Sequence, residues 1–580
     1  MTSPTPANAA PTPHRWRRSL HIEWQRPQRA TLLAGLAVAL IPIAYTLVQA
    51  SSAWRDVAYW DEISTAVGML QRLDESGTFG SFVRELFMVT NEHRMVTSRL
   101  IYAASYWLTG TVNFTAISVI GTSTIVLLFA TLVATAGDTA RRVRMAVVMG
   151  CLLFQLEHFE NFYWSGASID HFQVVFLAAL AVVAVARGTT GGAAAGALFA
   201  LLATFTLTHG TLVWPIGAVM LWRQNRLRAF ALWCSLTALT AVLFLTGFQV
   251  NASQSFAALS VEGGLDVLTY WLRLLGAVPA LDYGPLEPVL GAVLLALIVK
   301  LVRGGALRRE PIALPLVFFA VGALAMIAIG RTAEMGGLVS SRYYVLSALA
   351  WGLTLFTLMG RYTRPRAPLR LTVAALPLLT AFNIVANQVF VDKAESWVES
   401  RDRAATRYKK HGVDGQGPFK LFPVPTHSTA VLAAAERSGV YRMGSICRPI
   451  SVPKRARETT GLLYYIEKLE VDRQALFVEG WAAFRGWESE PGQLHLLLRS
   501  PTETLAFTTV GMTRDDVAKA HAPEPWKKSG FRFVRRRERL PTGEFQIGLM
   551  FIDGGKVEYC WTAHSVILKG DGEAKLATGG

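Results

Sequence analysis

Two acidic residues stand side by side in Tyr59-Trp60-Asp61-Glu62. A carboxylate can take the proton from a sugar hydroxyl as that hydroxyl attacks an anomeric carbon, and burial can tune its pKa for the work. Alone, an adjacent acid pair is ordinarily a solvated loop feature. Arg331 and Arg342, the second followed by Tyr343, are of the type that binds phosphate bidentately. Glu92 and His93, in Asn91-Glu92-His93-Arg94, are metal-ligating types, so a divalent ion enters as the one cofactor considered; a single such pair specifies little. Glu157, His158, Glu160, Asn161 and Trp164 crowd one short stretch, with Asp170 and His171 just beyond and His209 further on. All are out of place in lipid, where an ionisable group must face a partner or a wet cavity.

The elements that would carry these residues are membrane spans. The chain has 580 residues, 52% of them hydrophobic and only 17% charged, where a soluble protein carries about 25%. Apolar runs near 30–50, 113–135, 145–164, 169–186, 191–208, 211–222, 229–250, 286–302, 311–330, 343–360 and 369–391 predict about eleven spans. The net charge of +16 does not point to nucleic acid, because the basic residues sit in short clusters between apolar runs. Arg141, Arg142 and Arg144; Arg187; Arg223, Arg226 and Arg228; Arg303, Arg308 and Arg309; and Arg361, Arg364, Arg366 and Arg370 occupy alternate loops. They share a side with a Pro-rich, basic N-terminal tail, residues 1–29. By the positive-inside rule that side is cytoplasmic. The first span is read as uncleaved, because its apolar run exceeds a usual signal sequence.

On this topology the unusual residues gather at the extracytoplasmic ends of the spans. In a span starting at Met145, Glu157 would lie only about 18 Å along the helix, inside the hydrocarbon layer. Glu157, Asn161 and Trp164 would share a face of that helix. The expectation is one polar cavity open to the outside. Residues 51–112 form the first outer segment, in which Ile63, Val67, Leu70 and Leu73 predict an amphipathic helix along the membrane surface. An odd span count sends the chain after 391 outside. Residues 392–462 read as a connector. From 463 to 568 the period turns to two, as in Ala475-Leu476-Phe477-Val478 and Phe545-Gln546-Ile547-Gly548-Leu549-Met550, which predicts a β-sandwich of six or seven strands. Residues 569–580 read as a flexible tail. Of four cysteines, Cys151 and Cys234 lie in apolar runs, and Cys447 and Cys560 could pair outside the cytoplasm.

An acidic pair just after the first span, an outer segment with an amphipathic helix, many spans and a C-terminal outer domain together resemble the bacterial GT-C integral-membrane glycosyltransferases. That resemblance covers about 30–391. It implies an inverting enzyme of the cytoplasmic (inner) membrane. The donor would be a sugar on a polyprenyl phosphate and the acceptor a cell-envelope glycan or lipid. Asp61 or Glu62 would be the base that activates the acceptor hydroxyl. Val478-Glu479-Gly480-Trp481-Ala482, Arg514-Asp515-Asp516-Val517 and Ser529-Gly530-Phe531 resemble a β-sandwich appended to bacterial cell-surface glycan enzymes.

Two other readings compete. An O-antigen ligase or polymerase would share lipid-linked substrates, but would more naturally set its basic residues in a large late outer loop; here the longest outer segment is the first. A glycan or lipid transporter would show paired repeats or interrupted helices at the midplane, and no internal repeat is evident.

Overall fold

In a computed structural model, residues 26–90, 92–247, 261–335, 339–361, 367–415 and 420–444 are described, followed by 450–451, 456–471, 475–484, 494–501, 504–522, 526–536, 540, 542–553, 556–568 and 574–578. The chain divides into two compact units, Met1–Ile446 and Cys447–Gly580.

The first unit is helical and marks a multi-pass membrane protein. Among the described residues, seven helices are long and apolar enough to cross a membrane: Gly35–Ala53, Phe114–Thr135, Ser165–Ala186, Leu227–Leu245, Ala313–Thr332, Ser341–Gly360 and Ala375–Lys409. Shorter helices Thr139–Leu153, Thr190–Thr204, Val213–Arg223 and Glu287–Arg303 complete the bundle. Apolar side chains such as Val242 and Leu245 point outward, 64% and 60% exposed, as a helix in lipid requires.

The structure departs from the sequence reading in three places. The stretch 251–285, left between two predicted spans, contains the helix Val261–Ala280. Asp266 and Arg273 dilute its hydropathy, but it packs closely on Glu287–Arg303. A Cβ on Gly276 would come within 1.9 Å of the Glu287 carbonyl, and one on Gly291 within 2.0 Å of the Leu272 carbonyl. Small residues are what let two helix backbones approach so closely.

The run 145–164 is not one span. The helix Thr139–Leu153 stops, and Phe154 and Gln155 leave helical geometry. A turn at Leu156–His158 and a short helix Phe159–Tyr163 follow before the next long helix begins. Glu157, Asn161 and Trp164 therefore share no helix face. Asn383 and Asn387, one turn apart on Ala367–His411, satisfy the broken ends. Asn383 Nδ2 donates to the carbonyls of Cys151 (2.8 Å) and Phe154 (2.9 Å), and Asn387 Oδ1 accepts from the Leu156 N–H (3.0 Å). In lipid an unmet backbone group costs several kcal/mol, so such a break needs these partners.

The helix predicted along the membrane surface is instead a core element. Ile63, Val67 and Leu70 are fully buried against Leu432, Ala435 and Tyr441. Their partner is the helix Pro425–Ser438, and the segment 392–444, read as a connector, belongs to this unit. The last helix, Ala367–His411, is 45 residues long and runs on into that cluster, where Ala404, Ala405 and Tyr408 are buried.

The basic turns meet at one end of the bundle. Arg141 pairs with Glu310 (2.9 and 2.6 Å) and lies 5.0 Å from the Phe356 ring centroid, and Gln224 reaches the Val185 carbonyl (3.2 Å).

The second unit consists of two β sheets around one core. Strands β1 (Ile450–Ser451) to β11 (Ala574–Thr578) include β2 (Arg457–Glu458), β3 (Leu462–Val471), β4 (Ala475–Phe484), β5 (Leu494–Arg499), β6 (Thr504–Thr508), β7 (Val510–Met512), β8 (Gly530–Arg536), β9 (Gly543–Asp553) and β10 (Lys556–Leu568). One sheet runs β1-β6-β5-β9-β10-β11 with β2 on β10; the other runs β3-β4-β8-β7. Val478 and Phe531 from one sheet and Leu496 and Ile547 from the other share the core. The unit begins before residue 463 and extends past 568, because β1, β2 and β11 are too short or too polar to show alternation. The three motifs singled out here converge: Trp481 opposes Gly530, Arg514 lies against Gly530, and Arg514 reaches Glu467 at 2.6 Å. Cys560 carries a free thiol, and Cys447 lies outside the described residues.

Candidate functional site

The cavity sits at the end of the bundle opposite the basic turns, where Ala313–Met335 ends and Ser165–Ala186 and Ser341–Gly360 begin. It has a volume of about 130 Å³. Asp61, Glu62, Glu92, His93, Trp164, His171, His209, Arg331, Arg342 and Tyr343 all line it, drawn from six separate stretches of chain.

Two of those stretches are held by strained backbone. Trp60 has φ 49° and Glu92 φ 65°, in the left-handed region that costs a non-glycine residue roughly 1–2 kcal/mol. Each directly precedes a cavity residue, Asp61 or His93. The Trp60 N–H donates to the Leu421 carbonyl at 2.7 Å, so the 392–444 segment fixes the turn that carries the acid pair.

The structure separates the two acids. Glu62 is buried and fully engaged: one carboxylate oxygen accepts from the Ser165 hydroxyl and from the Gly166 N–H (2.6 Å), the other from the Tyr59 N–H (2.9 Å). Burial pushes its pKa up to about 7 despite these donors, which favour the charged form. Asp61 is half-buried on the cavity wall, close enough to Arg342 to interact with its charge.

Arg342 is held from both sides. Glu160 Oε2 accepts from Ser340 Oγ (2.6 Å), Ser341 Oγ (2.9 Å) and the Arg342 N–H (3.0 Å), and Asn161 Nδ2 donates to the Arg342 carbonyl (2.8 Å). The guanidinium lies 5.7 Å from the Trp164 ring centroid and 5.3 Å from that of Tyr343. The Tyr343 side chain also hydrogen-bonds the guanidinium, and the carboxylates of Glu160 and Asp61 lie near its charge. The helix break at Leu153 thus has a use: the segment after it supplies the supports of Arg342, and Ser165 and Gly166 at its end grip Glu62.

Five expected site residues do not line the cavity. Arg94 is buried and donates to the carbonyls of Phe244 (2.7 Å), Phe87 and Thr246, tying the end of Leu227–Leu245 to the first segment. Glu157 meets Gln155 Nε2 at 3.2 Å, and His158 caps the Leu153 carbonyl at 2.6 Å and stacks on Phe162. Glu160 and Asn161 act through Arg342. Glu157, His158, Glu160 and Asn161 were placed on an unbroken span, and the break redirects them; Arg94, expected in the first outer segment, is turned inward by its three carbonyl partners.

Among the polar liners, Thr65, Tyr102 and Thr208 were not singled out in the sequence, and Asp170, noted there beside His171, joins them on the wall. Asp170 is buried and accepts from Ser98 Oγ at 2.5 Å. A carboxylate opening an apolar run is itself a sign of function in a membrane protein. Trp164 Nε1, His171 Nδ1 and His209 Nε2 are buried without a hydrogen-bond partner among the described residues. Burial draws the His93 pKa down to about 3, with His209, Arg331 and Arg342 acting in the same sense. Among the described residues no group of three or more His, Cys, Asp or Glu side chains is set to hold a metal ion.

The site is thus a cavity in a membrane helix bundle whose lining includes the carboxylate of Asp61 and the arginines Arg331 and Arg342. Comparison with family models, curated proteins and solved structures finds no match to this chain.

Proposed function

We propose that this cavity transfers a sugar from a polyprenyl-phosphate-linked donor to an envelope glycan or lipid, as an inverting glycosyltransferase of the GT-C kind in a bacterial cytoplasmic membrane. The observation that carries the reading is the placement of the Asp61 carboxylate in one cavity with Arg331 and Arg342. The arginines take the donor phosphate. The acceptor hydroxyl oxygen attacks the anomeric carbon from the opposite face. The anomeric C–O bond to phosphate breaks, its electron pair stays on the phosphate oxygen, and Asp61 takes the hydroxyl proton. Asp61 is taken as the base because it is half-buried on the cavity wall, whereas Glu62 is buried. The basic turns at the far end of the bundle support a cytoplasmic position for that end and the N-terminus. The cavity and the C-terminal domain are then extracytoplasmic.

Asp61→Asn keeps the shape and removes the basic site. In a deletion strain complemented with this variant, glycan analysis should show transfer reduced about 10² to 10⁴-fold, with normal protein level by blot. Full restoration by Asp61→Asn and by Asp61→Asn/Glu62→Gln would refute the reading and favour a transporter.

A further inference from the structure

Among the described residues the two most exposed large apolar side chains are Leu108 and Phe79, at 85% and 80%, and neither belongs to a spanning helix. They lie on the helices Val96–Thr109 and Phe79–Phe87, in the first segment between spans. On Val96–Thr109 the exposed residues Leu100, Ala104, Trp107 and Leu108 fall at i, i+4, i+7 and i+8 and so form one apolar stripe. Phe82 packs on both Phe79 and Trp107, with ring centroids 6.5 and 5.2 Å away, and joins the apolar faces of the two helices. The opposite face of Val96–Thr109 is occupied. Ser98 Oγ donates to the Asp170 carboxylate at 2.5 Å, Arg99 donates to the Leu86 carbonyl at 3.1 Å, and the buried Tyr102 lines the cavity.

Both ends of this helix are pinned where spans end. At its start the Thr97 N–H donates to the carbonyl of Phe205 (3.1 Å), which caps Thr190–Thr204. At its end Ser105 Oγ accepts from the Asn113 N–H (3.2 Å), and Asn113 caps Phe114–Thr135. Both are the ends away from the basic turns, since Arg187 precedes Thr190 and Arg141 follows Thr135. The helix has 14 residues, about 21 Å at 1.5 Å each, and it runs across the bundle from one span end to another. A helix so held lies in the membrane plane, at the depth where spans leave the hydrocarbon.

We infer that the stripe, together with Phe79 and Val83, is seated in the adjoining lipid leaflet, so that Val96–Thr109 carries lipid on one face and the cavity on the other. Three observations select lipid over a protein partner. The span that starts five residues after Thr109 exposes Val119 and Ile120, so lipid-facing side chains follow on in the chain. Trp107 has the amphipathic ring that favours headgroup depth. Arg84, exposed beside Val83, has an apolar stem that lets its guanidinium reach a lipid phosphate. The helix sets the cavity about 10–12 Å, one helix diameter, from the acyl chains, within reach of a lipid headgroup. The inference goes beyond sugar transfer and does not depend on it: a transporter built this way would hold the same helix at the same depth.

The substitutions Phe79→Cys, Leu108→Cys, Val242→Cys and Glu436→Cys, made singly in the full chain with its native cysteines changed to alanine, test this. Val242 points outward on a span and serves as the lipid reference; Glu436, exposed on Pro425–Ser438, is the aqueous one. Each protein carries an NBD label, one chain per nanodisc of phosphatidylethanolamine and phosphatidylglycerol. Emission is compared with and without lipid bearing a nitroxide near the glycerol. Emission from Leu108→Cys and Phe79→Cys should fall as far as from Val242→Cys, while Glu436→Cys holds its value. Labels at both positions as steady as at Glu436→Cys would overturn the inference. Should the cysteine-free chain fail to fold, as judged by its gel-filtration profile, p-benzoylphenylalanine in place of Trp107 in the otherwise native chain decides, after irradiation of intact cells. A phospholipid adduct, read by mass, upholds the inference. An adduct with another protein or a second copy, or none, refutes it.

Discussion

Replacing Glu160 with alanine would remove a side chain that lies outside the cavity, yet it should deprive the site of an arginine. One oxygen of Glu160 receives Ser340 Oγ, Ser341 Oγ and the Arg342 N–H at 2.6, 2.9 and 3.0 Å. The two hydroxyls can rotate to other acceptors, but the backbone N–H cannot. Leaving that N–H unmet costs about 1–3 kcal/mol, and a hydrogen bond to a charged group contributes about 1.5–3 kcal/mol. With Glu160 half-buried, a loss of about 2–3 kcal/mol is expected for the turn that presents Arg342, read as a lower melting temperature in detergent. Glu160→Gln keeps an acceptor for the N–H and should lose less. Transfer, measured by glycan analysis per folded protein, should fall in Glu160→Ala because the guanidinium is no longer held against Trp164. The decisive comparison is Glu160→Ala in an Arg342→Ala background. If Glu160 works by positioning Arg342, the second substitution adds little to the first. Multiplying losses in the double variant, or a Glu160→Ala protein as stable and as active as the wild type, would refute this account of the site.

Glu62 should leave a pH signature on stability. Its folded pKa is raised to about 7 from an ordinary 4.5, so the native state holds a proton that the unfolded state releases. Stability is therefore highest below about pH 4.5 for this group and declines as pH rises through 7, by about 3 kcal/mol in all. Melting temperatures in detergent from pH 5 to 8 should fall for the wild type and flatten for Glu62→Gln; parallel curves would count against the shift. Residues 447–580, expressed alone, should give a soluble β protein with a cooperative thermal transition, because the core shared by the two sheets lies within that unit. A fragment lacking such a transition would show that the domain needs the rest of the chain.

Much of the architecture was legible because its cause is local. An apolar run either spans a bilayer or does not, and alternation over ten residues such as β4 signals a sheet with one buried face. The clustering of Arg141 to Arg144 and of Arg303 to Arg309 likewise placed basic turns together at one end. The convergence of Asp61, His93, His171, Arg331 and Arg342 was also readable, since the alternation of spans brings their ends to one face. Hydropathy could not show the break after Leu153, because Phe154, Leu156, Phe159 and Phe162 continue the apolar pattern while Asn383 and Asn387, far along the chain, supply the hydrogen bonds that permit it. Nor could it distinguish Asp61 from Glu62: both line the cavity, but Ser165, Gly166 and Tyr59 bury the carboxylate of Glu62 while Asp61 stays half-buried. Val67 and Leu70 looked fit for a membrane surface until Tyr441 and Leu432 covered them. Burial periodicity records that a residue is covered but not by what. The covering group and the donors that reach a carboxylate are long-range contacts, and only the folded chain selects them.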